Sequence, residues 1–544
     1  MKPVVAIGID AADPLLVDRM MRRGQLSTLS RLRRSGGYGQ VKNLPFCRAE
    51  TAWTMFLTGV HPERTAYWSP LKYRQGYLVD NVGAYDFLQF PPFYAQLPEA
   101  RIAAVDLPQT RLVAGMNGVQ VVGWGSHSPL APSGSEPAGL LSELVARHGS
   151  HPAFESDEAS IFDRAALLDL RDRLVEGLRR RSAMTVDVLR RERWDLFLTM
   201  ISETHAAGHY LWHLSDPDHP LYPSLHRDGE DPVADVMCAT DRTLGDIIDA
   251  APPDATIVVF SGHGMEANSM DLPSMVFLPE LLFRHSFPGR RGLGGVADDA
   301  PLPPVQARLR RSCWEDDLYA LKHDDNPVTR FLRQHVPGDL HYRVERKLGR
   351  DMVPVCYREC STLHYQPAWW YQKAWPEMQA FALPSFSEGY IRVNLAGREP
   401  RGIVQPAAYD RVCSELTTLV SRLRDARTGR GLVRQVRRTR RSPDENAPSL
   451  PDPDLIVSWE SAAADVVESS YGRIGPVPFL RTGSHVERGF VLISGPDTSR
   501  ATALSTCHSL DLPPTILALM GAEIPATLEG RPLVPPSKRV VPTA

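Results

Sequence analysis

The stretch from Trp194 to His213 reads WDLFLTMISETHAAGHYLWH. Its first part, Trp194 to Met200, is an apolar, partly aromatic run of strand length with no breaker. Ser202, Glu203 and Thr204 are the residue types that start helices. His205 and His209 follow four residues apart, a spacing that puts both imidazoles on one helical face. A buried strand that hands over to a His-bearing helix predicts an open α/β sheet, because such sheets build their sites at the C-terminal ends of their strands. In a chain with seventeen histidines, chance also produces such a pair. What the other strand ends carry decides between the two readings.

Upstream, Val4 to Ile9 reads as a buried strand that ends in Asp10, and Pro14 starts a helix that Gly24 closes. An acidic residue at that tip is either a site group or a turn former. A second helix, around Leu26 to Arg34, leads to a strand near Tyr38 to Val41. Glu50 and Thr51 then stand at the start of a short apolar helix that Gly59 ends. A hydroxyl at a helix N-terminus is well placed to attack phosphorus, because the free N–H groups favour an anionic group there. Thr51 serves equally as a plain N-cap. Arg101 to Leu107 and Gln120 to Trp124 read as further strands, and Ser160 to Glu192 as a long helix with an arginine-rich solvated face.

Downstream, Ala239 to Ala250 is an amphipathic helix that leads into the strand Thr256 to Phe260. That strand ends in Ser261-Gly262-His263-Gly264, a second tip with a histidine, here flanked by glycines that permit close approach of a ligand. Gly483-Ser484-His485 precedes a strand at Phe490 to Ser494, and Leu512 opens a helix through Met520. Tyr390 to Leu395 and Leu455 to Trp459 are strand-like. The basic run Arg422 to Arg441 reads as a solvated face or loop.

At 544 residues the chain exceeds one simple core. Its 43% hydrophobic and 23% charged residues are those of an ordinary globular protein. A net charge of −3 gives no polyelectrolyte argument for nucleic acid or an acidic membrane surface. Seven cysteines without C-x-x-C pairs fit a reducing compartment and no zinc ribbon. The apolar VVAIGI is too short for a signal peptide, and no run spans a membrane, so a cytoplasmic location is expected. Residues 1–284 and 379–535 are read as two parts of one α/β core and 285–378 as an insertion or cap. Residues 536–544 are read as a tail. The aromatics of the insertion, Trp314 and Trp369-Trp370-Tyr371, suit a small satellite core better than a stacking site.

Taken in order, GIDAADP, AETAWTMFLTG, ETHAAGHYLWH, VVFSGHGM, NLAGREPRGIV, GSHVERGFVLISGP and LDLPPTILALMGAEIPATLEGRPL give the chain its resemblance. It resembles the alkaline phosphatase superfamily, in its type I phosphodiesterase/nucleotide pyrophosphatase branch. The resemblance implies a mostly parallel sheet flanked by helices, with two divalent metals above the strand ends, zinc first and manganese second. Residue by residue it implies Asp10, His209, His263 and His485 as ligands. His205 stands where the family has an aspartate, as a nitrogen ligand in place of an anion.

Gly262 replaces the aspartate beside His263, so one carboxylate is missing; Glu203 or Glu50 would have to replace the lost charge. The family's nucleophile position is Ala49, which cannot attack. Thr51, two residues later, is the candidate nucleophile, and Cys47 lacks the sulfatase spacing. The expected function is a metal-dependent hydrolase of phosphate diesters or related phosphoryl esters, by in-line attack of a metal-activated hydroxyl or water. Its partner would be a small-molecule phosphoryl ester, with no nucleic acid polymer and no membrane. The alternatives are a monoesterase, sulfatase or phosphoryl transferase on the same scaffold. A binding protein that has lost hydrolysis is the other reading, favoured by Gly262 and Ala49.

Overall fold

The computed structural model describes residues 1–44, 46, 50–81, 85–125, 133–153, 163–305, 314–336, 347, 367–496 and 503–535. Cys47, Arg48 and Ala49, and the tail 536–544, therefore lie outside the described residues.

Strands in the first half of the chain are β1 (Val4–Ile9), β2 (Gly37–Lys42), β3 (Leu71–Arg74), β4 (Leu78–Asn81), β5 (Ile102–Val105) and β6 (Gly118–Val122). They are followed by β7 (Gly134–Glu136), β8 (Leu196–Ile201), β9 (Thr256–Ser261) and β10 (Gly264–Ala267). The second half adds β11 (Ala380–Leu383), β12 (Gly389–Val393), β13 (Arg424–Asp425) and β14 (Val433–Arg438). Last come β15 (Leu455–Trp459), β16 (Val467–Glu468), β17 (Gly483–Val486) and β18 (Arg488–Ser494). The helices that matter below are α1 (Pro14–Arg22), α2 (Ser27–Ser35), α3 (Glu50–Thr58) and α4 (Arg164–Arg191). Four more are α5 (Glu203–Ser215), α6 (Pro232–Ala250), α7 (Tyr409–Ser421) and α8 (Leu512–Met520).

Eight strands form the central sheet in the order β2-β18-β9-β1-β8-β5-β6-β7. The pairings from β9 through β1, β8 and β5 to β6 are parallel. Antiparallel neighbours stand at both edges. The fold is thus the mostly parallel, helix-flanked α/β sheet expected from the sequence.

Strand alternation sorts the core into two layers. Val5, Ile7 and Ile9 of β1, with Phe197 and Ile201 of β8, face the layer that holds α1, α2, α4, α5 and α6. Val4 and Ala6, with Leu196, Leu198 and Met200, face the opposite layer, which holds α3 and α8. Buried on both faces, these strands read as continuous apolar runs, as parallel strands do. Helix starts follow local chemistry: the Asp13 carboxylate accepts from the N–H groups of Leu15 and Leu16 ahead of Pro14. Asp231 does the same for α6 through Ala234, so that helix starts at Pro232, ahead of the Ala239 read from the sequence.

A second sheet, β11-β12-β15-β14, is antiparallel throughout. Its core holds Trp314, Trp369 and Trp375 together with Phe381, Ile391, Tyr409 and Val457. The insertion's aromatics therefore pack in a core that they share with Tyr73, Met275 and Phe283 from before residue 285 and with residues beyond 379. Among the described residues of 379–535, the one strand that joins the central sheet is β18. The chain leaves the central sheet after β9 and returns to it at β18; just outside these, β10 and β17 pair antiparallel as a two-stranded sheet, with Met265 opposite His485. No helix among the described residues is long and apolar enough to cross a membrane.

Candidate metal centre

Asp10 leaves the tip of β1 with its backbone N–H on the Ile201 carbonyl, 2.9 Å away, and its side chain is fully buried. Next to it, β8 ends and α5 begins with Ser202 at the N-cap, as read from the sequence. The Thr204 hydroxyl donates to the Asp10 carbonyl at 2.5 Å and ties the first turn of α5 to the β1 tip. That placement carries His205 and His209, one turn apart, to the same edge of the sheet.

His485 arrives from β17. Its Nε2 lies 3.2 Å from Nε2 of His205 and 3.2 Å from Nε2 of His209, and the latter two are 3.1 Å apart. Three imidazole nitrogens thus form a nearly equilateral triangle, and all three side chains are buried. Tetrahedral zinc with Zn–N near 2.0–2.1 Å spaces its nitrogens by about 3.3 Å, so the triangle fits such an ion. His209 Nδ1 is 2.7 Å from the Gly483 carbonyl. A carbonyl only accepts, so Nδ1 carries the proton and Nε2 turns its lone pair to the centre of the triangle.

His263 follows β9. Its Nε2 is 3.4 Å from Asp10 Oδ1, and its ring centre is 4.5 Å from that of His485. The Trp53 indole N–H donates to the same Asp10 oxygen at 3.2 Å, and its ring stands edge-on to His263 at 5.7 Å. The structure therefore brings Asp10, His205, His209, His263 and His485 to one place.

Thr51 differs. It is buried in the first turn of α3, and its hydroxyl donates to the Trp68 carbonyl at 2.9 Å. On a helix, residues two apart lie roughly 160° around the axis from one another. The Trp53 face of α3 meets Asp10 and His263, and Thr51 points away from it.

Glu203, a candidate for the missing charge, is committed elsewhere. Both its oxygens accept from Nε of the fully buried Arg181, at 2.8 and 2.9 Å, and His151 Nε2 is 3.1 Å away. Burial pushes its carboxyl up, and Arg181 and His151 more than offset that, holding it at about 2. Glu50 lies near Tyr67, whose hydroxyl is pushed well up by burial and then by that charge.

Two contributors escaped sequence reading. Arg481 is aligned by Asp271 through Nε at 2.7 Å and Nη2 at 2.9 Å, and its Nη1 is 3.5 Å from His209 Nε2. Trp53 is the other. The only trace of Arg481 in the sequence is its place two residues before the Gly-x-His segment, and Trp53 looked like helix core.

The family described as type I phosphodiesterase / nucleotide pyrophosphatase matches residues 4–354, more than half of the chain. No curated protein matches. Among solved structures, the chain is similar to phosphonoacetate hydrolase from Sinorhizobium meliloti 1021 in complex with phosphonoformate. That likeness has 13% identity over 96% of this chain and 95% of that one, with a TM-score of 0.46. Murine ectonucleotide pyrophosphatase / phosphodiesterase 5 is similar at 11% identity over 96% of each chain, also with a TM-score of 0.46.

Proposed function

This chain belongs to the type I phosphodiesterase / nucleotide pyrophosphatase family, hydrolases of phosphoester bonds, and on that premise we propose that it hydrolyses a phosphate diester or related phosphoryl ester with a divalent metal, zinc before manganese. The observation that carries the proposal is the convergence of three buried imidazole nitrogens, 3.1–3.2 Å apart, beside the C-terminal tips of β1, β8 and β9. Asp10 and His263 stand beside this triangle. A bound divalent ion supplies Lewis-acid polarisation of the phosphoryl oxygens and acidifies the attacking oxygen.

The chain's own groups do the rest. Asp271 fixes the Arg481 guanidinium so that Nη1 sits beside the histidine nitrogens, where it complements an anionic phosphoryl oxygen. Gly483 holds His209 in one tautomer. Trp53 orients the Asp10 carboxylate.

For the attacking group we assign water. A covalent route through Thr51 requires its hydroxyl to leave the Trp68 carbonyl and cross from the far face of α3. Thr51→Ala is expected to keep kcat within about threefold, whereas a loss of about a hundredfold or more would make Thr51 the nucleophile.

The test of the whole reading is turnover of bis(p-nitrophenyl) phosphate and p-nitrophenyl phosphate by chelated protein given back Zn or Mn. Diester turnover restored by metal and abolished in His209→Ala is expected. Protein that holds metal and cleaves neither ester would sink the hydrolase reading, and a preference for the monoester would move the substrate class.

A further inference from the structure

Two groups of candidate ligands meet at this edge of the sheet, and they are not equivalent. His205, His209 and His485 supply three converging nitrogens. Asp10 and His263 supply two atoms, 3.4 Å apart, and the position beside His263, where the family resemblance places a further carboxylate, is Gly262. We infer that the centre holds one metal ion per chain, bound by His205, His209 and His485, and that the Asp10–His263 pair holds none. The inference rests on the metal-dependent reading above and narrows the two ions expected from the sequence to one.

The residue that would extend the Asp10–His263 pair stands at position 262, and it is glycine. A Cβ built there would lie 3.4 Å from Ser509 Oγ, an ordinary contact. The place is therefore open to a side chain, and its neighbour is a neutral hydroxyl, fully buried, that supplies no anion.

Charge points the same way. Glu203 is paired with Arg181, Asp271 with Arg481, and both Asp13 and Glu266 with Arg488. Of these described carboxylates it is Asp10, held by Trp53 and His263, that faces the centre. One dication on three neutral imidazoles meets one carboxylate and an anionic substrate. A second dication would add two positive charges where burial is nearly complete, and uncompensated buried charge is costly. A three-histidine set is also a complete protein complement for a catalytic zinc, which keeps its fourth position open.

The experiment is a metal count on the full chain. Protein stripped with chelator and reloaded with excess Zn(II) is desalted and measured by inductively coupled plasma mass spectrometry. In parallel, Co(II) is titrated into stripped protein and its visible d–d absorption followed. The expected result is one zinc per chain and a Co(II) break at one equivalent. His209→Ala and His485→Ala are expected to lose the ion, while Asp10→Asn and His263→Ala keep it. Circular dichroism identifies any variant that does not fold, and the wild-type Co(II) break stands without the variants. Two ions per chain, or loss of the single ion in folded His263→Ala, would overturn the inference and leave the hydrolase reading standing. No ion in wild type would overturn both.

Discussion

Gly483 does for His209 what no feature of the helix could do. By accepting from Nδ1 at 2.7 Å it fixes the tautomer, so His209→Gln, which has no ring to hold, is expected to lose metal affinity by about tenfold or more in a zinc competition titration. Arg181 is the other decisive single residue. It is fully buried, and besides Glu203 its Nη1 donates to Asp106 at 2.8 Å. Arg181→Met strands two buried carboxylates and is expected to cost about 3–5 kcal/mol, seen as a lower urea midpoint.

The same network sets an acid limit. Glu203 is held at about 2, below its ordinary 4.5. A depressed carboxyl contributes stability that is complete above the ordinary value and is lost as pH falls toward the folded one. Urea midpoints of wild type should therefore drop between pH 4.5 and about 2, and Glu203→Gln should flatten that fall while lowering stability at pH 7. At this scale the residues that gather at the site were legible because Asp10, His263 and the His205/His209 pair stand where apolar runs end. Arg481 was not, since its role depends on Asp271, far away in the chain. Nor was the commitment of Glu203 to Arg181, on the preceding helix.

Between elements, the close approach that bears on the site is that of α5 and β17. A Cβ on Gly483 would lie 2.1 Å from the Gly208 carbonyl oxygen. Gly483→Ala must push β17 away from α5 and with it His485, so zinc affinity is expected to fall about 10–100-fold, with a lower melting temperature. Helix α3 makes a milder test. Trp53→Phe keeps the packing and removes the donor to Asp10, which is expected to cost about 1 kcal/mol in stability and to lower turnover.

Elements with strong apolar runs were legible close to their ends: β1, β15 and α8 match their sequence reading. The strand β14 was missed. Its sequence, VRQVRR, lies inside the basic run, and the structure makes it the edge of the second sheet. Charged side chains on an edge strand guard it against pairing with other chains, and the same charges hide it from a hydrophobic pattern.

Across the molecule, the three-histidine site is where separate parts of the chain are fastened together. The proposed ion, shared by α5 and β17, would bind the folded chain and not the unfolded one. At a thousand times its dissociation constant such a ligand adds about 4.1 kcal/mol. Chelated protein should therefore melt at a lower temperature than zinc-loaded protein in differential scanning fluorimetry, and His485→Ala should erase the difference. The parallel sheet was legible as a class because its strands are short apolar runs with tips that carry chemistry. The order of its strands and the partnership of β12 with β15 were not, because those pairings join segments far apart in sequence and leave no local pattern.

The pairing of β10 with β17 has a consequence for how such a protein can change. Asn268 donates its backbone N–H to Thr482 at 2.9 Å and its side-chain amide to Arg481 at 3.0 Å, so the chain's departure and its return are stapled side by side. The cost of closing a loop rises only by about 0.6 kcal/mol for each doubling of its length. Changes of length in the exposed loops between those two points therefore leave the delivery of His485 to the other histidines in place, while Asp271 at one end, and Tyr73 and Tyr77 through Glu399 and Asn394, hold the rest of that stretch to the body of the chain.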